Sequence, residues 1–297
     1  MRKQTIIVLL IALSVLTSCR KDQGADQSVQ MQLNMMVPEN ASSAMMRIFV
    51  YKSEDGAKAG EYFLSQREGA NFTGKASIRC GEYDFVGYNF DIPDTYLRGE
   101  SSLGTLQIYT NPISEKIRSR FILAPEETVY SPDRVILGQT DRMKVTADMR
   151  RLNISTEDLT ENWSIEIKAE GAQHAALAGC ILGGERTAYG FSDNAETGSI
   201  YFDLKAGSDC ISGDYNSFGH VEYADAEITI FVNNGENIFN YTKSVGALYD
   251  EALSTGSRRI VINDKIVIPA PENPQTGGNG FNPAVGEWKV ESGEILI

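Results

Sequence analysis

Hydrophobic residues in this chain recur at every second position, in many short runs. Val29, Met31, Leu33, Met35 and Val37 alternate with Gln30, Gln32, Asn34 and Met36. Successive side chains of a strand point to opposite faces, so this pattern buries one face and wets the other. A helix needs spacings of three and four instead. The same alternation runs through Tyr83, Phe85, Gly87 and Asn89, through Val145, Ala147 and Met149, and through Trp163, Ile165 and Ile167. It recurs at Ala226, Ile228, Ile230 and Val232, and at Ile260, Ile262, Ile266 and Ile268, where Asp264 interrupts. Met46–Tyr51 and Leu103–Thr110 are further strand candidates. Breaker clusters such as Pro38-Glu39-Asn40 and Ser53-Glu54-Asp55-Gly56 separate the runs, with Gly56 free to take a positive φ. Many short strands between Gly, Asn, Asp and Ser turns make an all-β chain of sandwich type. Helical spacing is rare. Val245, Leu248, Tyr249 and Ala252 fit one short helix, with Ser244 or Thr242 as its cap and Gly256 past its end. Ile113–Ile122 is a second helix candidate.

A body this long suits two sandwiches better than one. The expected boundary lies near Gly138-Gln139-Thr140-Asp141, giving domains 29–139 and 140–297. Trp163 belongs to a core. Residues 269–280, rich in Pro and Gly, separate the Ile-rich strand from a terminal strand, Trp288–Ile297.

The first residues read as an address. Arg2 and Lys3 precede the apolar run Ile6–Leu13, which is too short to span a bilayer and reads as a signal sequence over 1–18. Leu16-Thr17-Ser18-Cys19 looks like a bacterial lipobox, which makes Cys19 the acylated residue. Residues 19–28 are small and polar and read as a tether. Loss of Arg2 and Lys3 takes the net charge two units below −13. Such a surface is repelled by anionic headgroups, so lipid on Cys19 does the anchoring. Outer-membrane placement, facing the cell surface, follows as an expectation.

Most chemistry classes find no footing. With 40 Asp and Glu against 27 Lys and Arg, phosphate neutralisation is disfavoured and no nucleic acid partner is expected. His174 and His220 are far apart in sequence and match no metal or triad spacing. Each reads as a turn or surface residue. Gly190-Phe191-Ser192-Asp193-Asn194 lacks the second glycine of a nucleophile elbow. No P-loop is present. The acidic loops at Asp193-Asn194 and Asp209–Asn216 read as Asx turns rather than calcium sites. Cys80, Cys180 and Cys210 are an odd set. They read as buried thiols, although export would permit Cys180 and Cys210 to pair. No catalytic residue, metal or cofactor is expected. Trp288 reads as a plug over a sandwich end, the alternative being a platform for a sugar ring.

The order of motifs resembles a known family. Arg47-Ile48-Phe49-Val50-Tyr51 with the turn Glu54-Asp55-Gly56 precedes Gly81-Glu82-Tyr83-Asp84-Phe85-Val86-Gly87-Tyr88. Ile262-Asn263-Asp264-Lys265-Ile266-Val267-Ile268-Pro269, then Gly278-Asn279-Gly280-Phe281 and Trp288, close the chain. This is similar to the Bacteroidales fimbrillin-like lipoproteins, especially members of the fimbrial anchor type. The resemblance implies two tandem transthyretin-like β-sandwiches and a place in fimbriae among other fimbrial subunits. It also implies joining by strand complementation, in which one chain's strand fills another's open sheet.

In polymerising members of that family the first strand is cut away at an arginine. Here the first arginine after the first strand is Arg47, inside the second strand. That departure implies an anchor or accessory subunit that keeps its lipid and its first strand. The candidate interaction strands are therefore Val29, Met31, Leu33, Met35 and Val37, and the terminal Trp288, Val290, Ile295, Leu296 and Ile297. The terminal segment is equally readable as an ordinary edge strand. The runner-up function is a non-enzymatic glycan-binding surface lipoprotein of a polysaccharide-uptake system, which exposed paired aromatics would favour.

Overall fold

Strands make up nearly all the regular structure of the computed structural model, which describes residues 27–192, 196–221, 226–272 and 284–285. The all-β reading is borne out. The two units, however, are not cut where the sequence suggested. One contains the residues through Asp91 together with Leu137–Glu157; the other contains Ile92–Ile136 and everything from Asp158. The expected single boundary near residue 139 is thus replaced by three crossings. The cause is strand pairing between distant segments, which no local pattern encodes.

In the first unit, β1 (Ser28–Met36) lies between two partners. It pairs antiparallel with β5 (Asn71–Arg79), from Ser28 opposite Arg79 to Met36 opposite Asn71. It pairs parallel with β11 (Arg151–Ser155), from Gln32 opposite Arg151 to Met36 opposite Ser155. β4 (Gln66–Glu68) completes this four-stranded sheet. The second sheet has the order β12 (Glu157–Asp158), β10 (Ile136–Val145), β6 (Gly81–Asn89), β2 (Met46–Lys52), β3 (Lys58–Leu64). The turn joining β2 to β3 is closed by Gly56 N–H on Lys52 C=O at 2.8 Å, and Gly56 takes the expected positive φ of 69°.

The two sheets meet through Met35 and Ile48. Gly87 of β6 is one point of close approach: a Cβ there would lie 2.5 Å from the Met35 sulfur. β2 and β6 are buried on both faces, Ile48 and Val50 on one, Phe49 and Tyr51 on the other. The unbroken apolar run in β2 has that meaning. Val145 ends β10, and Met149 N–H turns back onto Thr146 C=O, so the alternation at Ala147 and Met149 belongs to a turn.

The second unit is built on one large sheet. Its main path is β19 (Arg259–Val267), β13 (Glu161–Glu170), β16 (Cys210–Ser217), β15 (Glu196–Ala206), β14 (Leu177–Gly190), β17 (Glu227–Asn233), β18 (Asn237–Ser244) and β20 (Ala284–Val285). β8 (Gln107–Thr110) joins β14 and carries β7 (Thr95–Arg98), while β9 (Thr128–Tyr130) joins β15.

β15 and β16 pair only at Lys205–Ser212 and Ala206–Ile211. The sheet folds over at this corner, so Trp163, Ile165 and Ile167 of β13 share one core with Cys180, Ile200 and Ile230. The interruption at Asp264 appears as a register shift between β13 and β19. Residues 103–105 form a 3-10 turn, so the strand expected over Leu103–Thr110 begins only at Gln107.

Helix α1 is shorter than expected, Glu115–Arg118. Ser114 caps it, and the Ile117 N–H donates to Ser114 Oγ at 3.4 Å. Helix α2, Gly246–Ser254, buries Tyr249 and Ala252 on the core and ends before Gly256, as its spacing predicts. Its cap position is Val245, not Ser244 or Thr242, and Val245 is fully buried. Packing, not a capping side chain, fixes that end. All three described cysteines are free thiols. Cys180 is buried as expected, but Cys80 and Cys210 are half-exposed.

Candidate functional site

The candidate strand Val29–Val37 sits in the middle of its sheet. Val29, Met31, Leu33, Met35 and Val37 expose 3, 4, 0, 0 and 3% of their surface. Their polar neighbours face outward, where Asn34 Nδ2 donates to Asn153 Oδ1 on β11 at 2.7 Å. Past the strand's end, the Val37 N–H donates to Ala70 C=O at 2.9 Å. Burying five such side chains is worth on the order of 10 kcal/mol before the entropy of ordering the strand is set against it. Without β1, β5 and β11 would be separated by an apolar slot with unpaired backbone on both walls.

Arg47, the next arginine, lies inside β2. Its neighbours pair with β6 on one side and β3 on the other. Its guanidinium donates from Nε to Glu61 Oε1 at 2.8 Å and from Nη1 to Tyr88 OH at 3.0 Å. The Arg47 hydrogen bond is the main reason the Glu61 carboxyl is held below its usual value. A protease needs an extended, unpaired substrate, and this backbone is paired on both edges.

The terminal candidates Trp288, Val290, Ile295, Leu296 and Ile297 lie outside the described residues, as do Cys19, the signal segment and Asp193-Asn194. The chain just ahead of Trp288 is described: β20 runs parallel to the start of β18, with Ala284 opposite Asn237 and Val285 opposite Ile238. β18 is tied to β19 by side chains. Tyr241 OH and Lys243 Nζ both donate to Asp264 Oδ2, and Lys243 is the leading cause of the lowered Asp264 value.

A polar cluster escaped the sequence reading. His220, expected in a turn or on the surface, has its side chain only 2% exposed. Its Nδ1 lies 2.9 Å from Glu185 Oε1, itself 1% exposed. Ser217 Oγ donates to the other Glu185 oxygen, and Tyr249 OH donates to Oε1 at 3.4 Å. The His220 ring stacks on Tyr249 at 5.0 Å, and Tyr249 meets Trp163 edge-on at 5.0 Å. Burial pushes the Tyr249 hydroxyl well above the usual tyrosine value. The Ser217 hydroxyl points at a carboxylate rather than at an imidazole base, and the cluster is enclosed. Its chemistry is that of a satisfied internal staple. His174 does lie in a turn, Ala172–His174. Among the described residues no group of three or more His, Cys, Asp or Glu is placed to hold a metal.

Comparison with known proteins identifies the family. Residues 22–172 match the family described as Domain of unknown function (DUF5119). The chain belongs to the DUF5119 family. The matched region holds every described residue of the first unit, together with residues 92–136 and β13 of the second. This DUF5119 chain is 24% identical to the Bacteroides ovatus protein named "Putative fimbrium anchoring subunit Fim4B", over 96% of this chain and 95% of that one.

Among solved structures, a Bacteroides ovatus protein titled a "putative adhesin" matches with a TM-score of 0.63 and 19% identity. The match covers 84% of this chain and 95% of the other. A Bacteroides thetaiotaomicron structure titled "putative polysaccharide binding proteins (DUF1812)" matches with a TM-score of 0.51 and 9% identity, over 80% and 90% of the two chains. These likenesses show a shared fold. The resemblance to fimbrillin-like proteins read from the motif order is borne out by the DUF5119 chain's matches.

Proposed function

We propose that the protein is a non-enzymatic component of cell-surface fimbriae, acting as the lipid-anchored subunit at the base. The observation that carries this reading is the end-to-end likeness to a protein named as a fimbrium anchoring subunit. Acylated Cys19 holds the chain in the outer membrane, and the short polar segment before Ser28 lifts the folded body off it. β1 stays in place, because the backbone at Arg47 is enclosed between β6 and β3. A subunit that retains its first strand has no open slot to receive a donor, which suits the end of a filament rather than its shaft. The chain end is the donor: Trp288–Ile297, which follows β20, supplies the strand that a neighbouring fimbrial subunit accepts.

The test is Cys19→Ser in fimbriated cells. Filaments carrying the variant are expected in the medium, and mature wild-type protein is expected to begin at Cys19. Filaments that stay on Cys19→Ser cells, or mature protein beginning at or beyond Ile48, would overturn the anchor reading.

A further inference from the structure

The outer face of the first sheet carries a charge opposite to that of the whole chain. Strands β11, β1, β5 and β4 hold Arg67, Lys75, Arg79 and Arg151 and one acid, Glu68. Pairing register sorts them. Arg151, Gln32 and Lys75 form one row across three strands, on the face opposite buried Met31, Leu33 and Met35. Lys75 and Arg151 are exposed. Glu68 stands opposite Asn71, four residues along β5 from Lys75, which is roughly 13 Å away. Arg67 turns aside to the carbonyls of Ala41, Ser43 and Gly69. Arg79 lies opposite Ser28, but Glu54 is near enough to act with it on the Tyr83 hydroxyl, so its charge is set aside.

Arg150, just before β11, joins the same row: its C=O accepts from the Gln32 N–H at 2.9 Å. With Gln30, Gln32, Gln66, Thr73 and Lys75 it lines a shallow depression of about 460 Å³. Two cations and no carboxylate border that depression. Among the described residues no carboxylate pairs with Lys75, Arg150 or Arg151. Arg150 donates to the Ala147 and Met149 carbonyls, and Arg151 reaches Gln32 Oε1 at 3.4 Å. Asp148, which the Thr146 hydroxyl engages and Arg150 acts on through space, offsets one cation. Glu82, past the end of β5, belongs to the other sheet, opposite Lys144. Lys75, Arg150 and Arg151 against Asp148 leave the face positive.

We propose that this face rests on an anionic bilayer surface, with one headgroup phosphate in the depression between Lys75 and Arg150. The proposal builds on the reading of Cys19 as the acylated residue. Nine residues lead from Cys19 to Ser28 at the head of β1, and they span at most about 32 Å. A lipid surface is thereby held within reach of the face, whereas a free polymer or protein must be captured from solution. Within that segment Arg20 and Lys21 are matched by Asp22 and Asp26, so attraction has to come from the folded face. The net charge of −13 opposes an anionic surface. At physiological salt, however, exposed charges more than about 8 Å apart are largely screened, and the groups nearest the lipid decide. Phosphate oxygens suit guanidinium and ammonium donors, and the amides of Gln30, Gln32 and Gln66 add further donors.

The test reconstitutes the full acylated chain in nanodiscs of phosphatidylcholine, alone or mixed with phosphatidylglycerol. Lysines are acylated with an uncharged reagent and read by mass spectrometry. Lys75 should react about fivefold more slowly in the anionic discs, with exposed Lys116 of α1 unchanged as the internal reference. High salt should remove the difference. Arg151→Gln should cut the protection of Lys75 below about twofold. It should not move the melting temperature, because Arg151 is exposed and its side chain holds one 3.4 Å bond, to Gln32. Equal labelling of Lys75 in both discs, equal slowing of Lys116, or full protection in Arg151→Gln would overturn the proposal while leaving the anchor reading intact. Equal protection of Lys75 by polygalacturonate added to phosphatidylcholine discs would overturn it in favour of an acidic polymer. A mature chain that enters neither disc would overturn the anchor reading itself, and the proposal with it.

Discussion

Glu185 shows what a single side chain must arrange when it leaves water. Its two oxygens are met by Ser217, His220 and Tyr249, and all four residues are buried or nearly so. Glu185→Ala takes one hydrogen-bond partner from each of three buried polar groups at once and should cost about 2–4 kcal/mol, read as a shift in the urea midpoint. Asp264 argues a pH effect. Its carboxyl value falls on folding, chiefly through Lys243, from the ordinary 3.8. A carboxylate lowered in this way stabilises fully above its unfolded value and loses that contribution as pH falls through the lowered folded value. Asp264→Asn should therefore weaken the protein at neutral pH and flatten its loss of stability below about pH 4, measured by urea melts across that range. Little of this was legible. Alternation places a residue on a face, but the partners of Glu185 lie 32 to 64 positions away.

The strands themselves were readable because period two is a local property. β1 is found where its alternation put it and β2 where Met46–Tyr51 was expected, while the burial of β2 on both faces comes from the sheets around it. Helix α2 was legible from spacing, but its start was not, because a buried Val245 does what a capping hydroxyl was expected to do. Gly87 could be seen only as a member of an alternating set; that it makes room for Met35 is a fact about two facing sheets. Gly87→Val should destabilise the protein by about 1–3 kcal/mol through overpacking. The double variant with Met35→Ala should recover part of that loss, so a double-mutant cycle should show non-additivity above roughly 0.5 kcal/mol. Additive effects would mean that the two sheets adjust without conflict.

Over the whole chain, no local pattern shows which segments group together. Length and turn spacing called for two bodies, yet the first is completed by β10 and β11, which follow residues belonging to the second. A chain ending at Gln139 should therefore fail to fold, lacking β11 and most of β10. A chain in which residues 92–136 are replaced by a short turn, joining β6 to its antiparallel neighbour β10, should give a folded first unit by circular dichroism and cooperative melting. The same arrangement sets a timetable. Gln32 waits for Arg151, a gap of more than a hundred residues. During synthesis, which proceeds from the first residue, β1 emerges early and has β5 on one side long before β11 reaches the other. The first half of the protein therefore leaves the ribosome without a finished body of its own, and its sheet closes only after the chain has entered the second unit and come back.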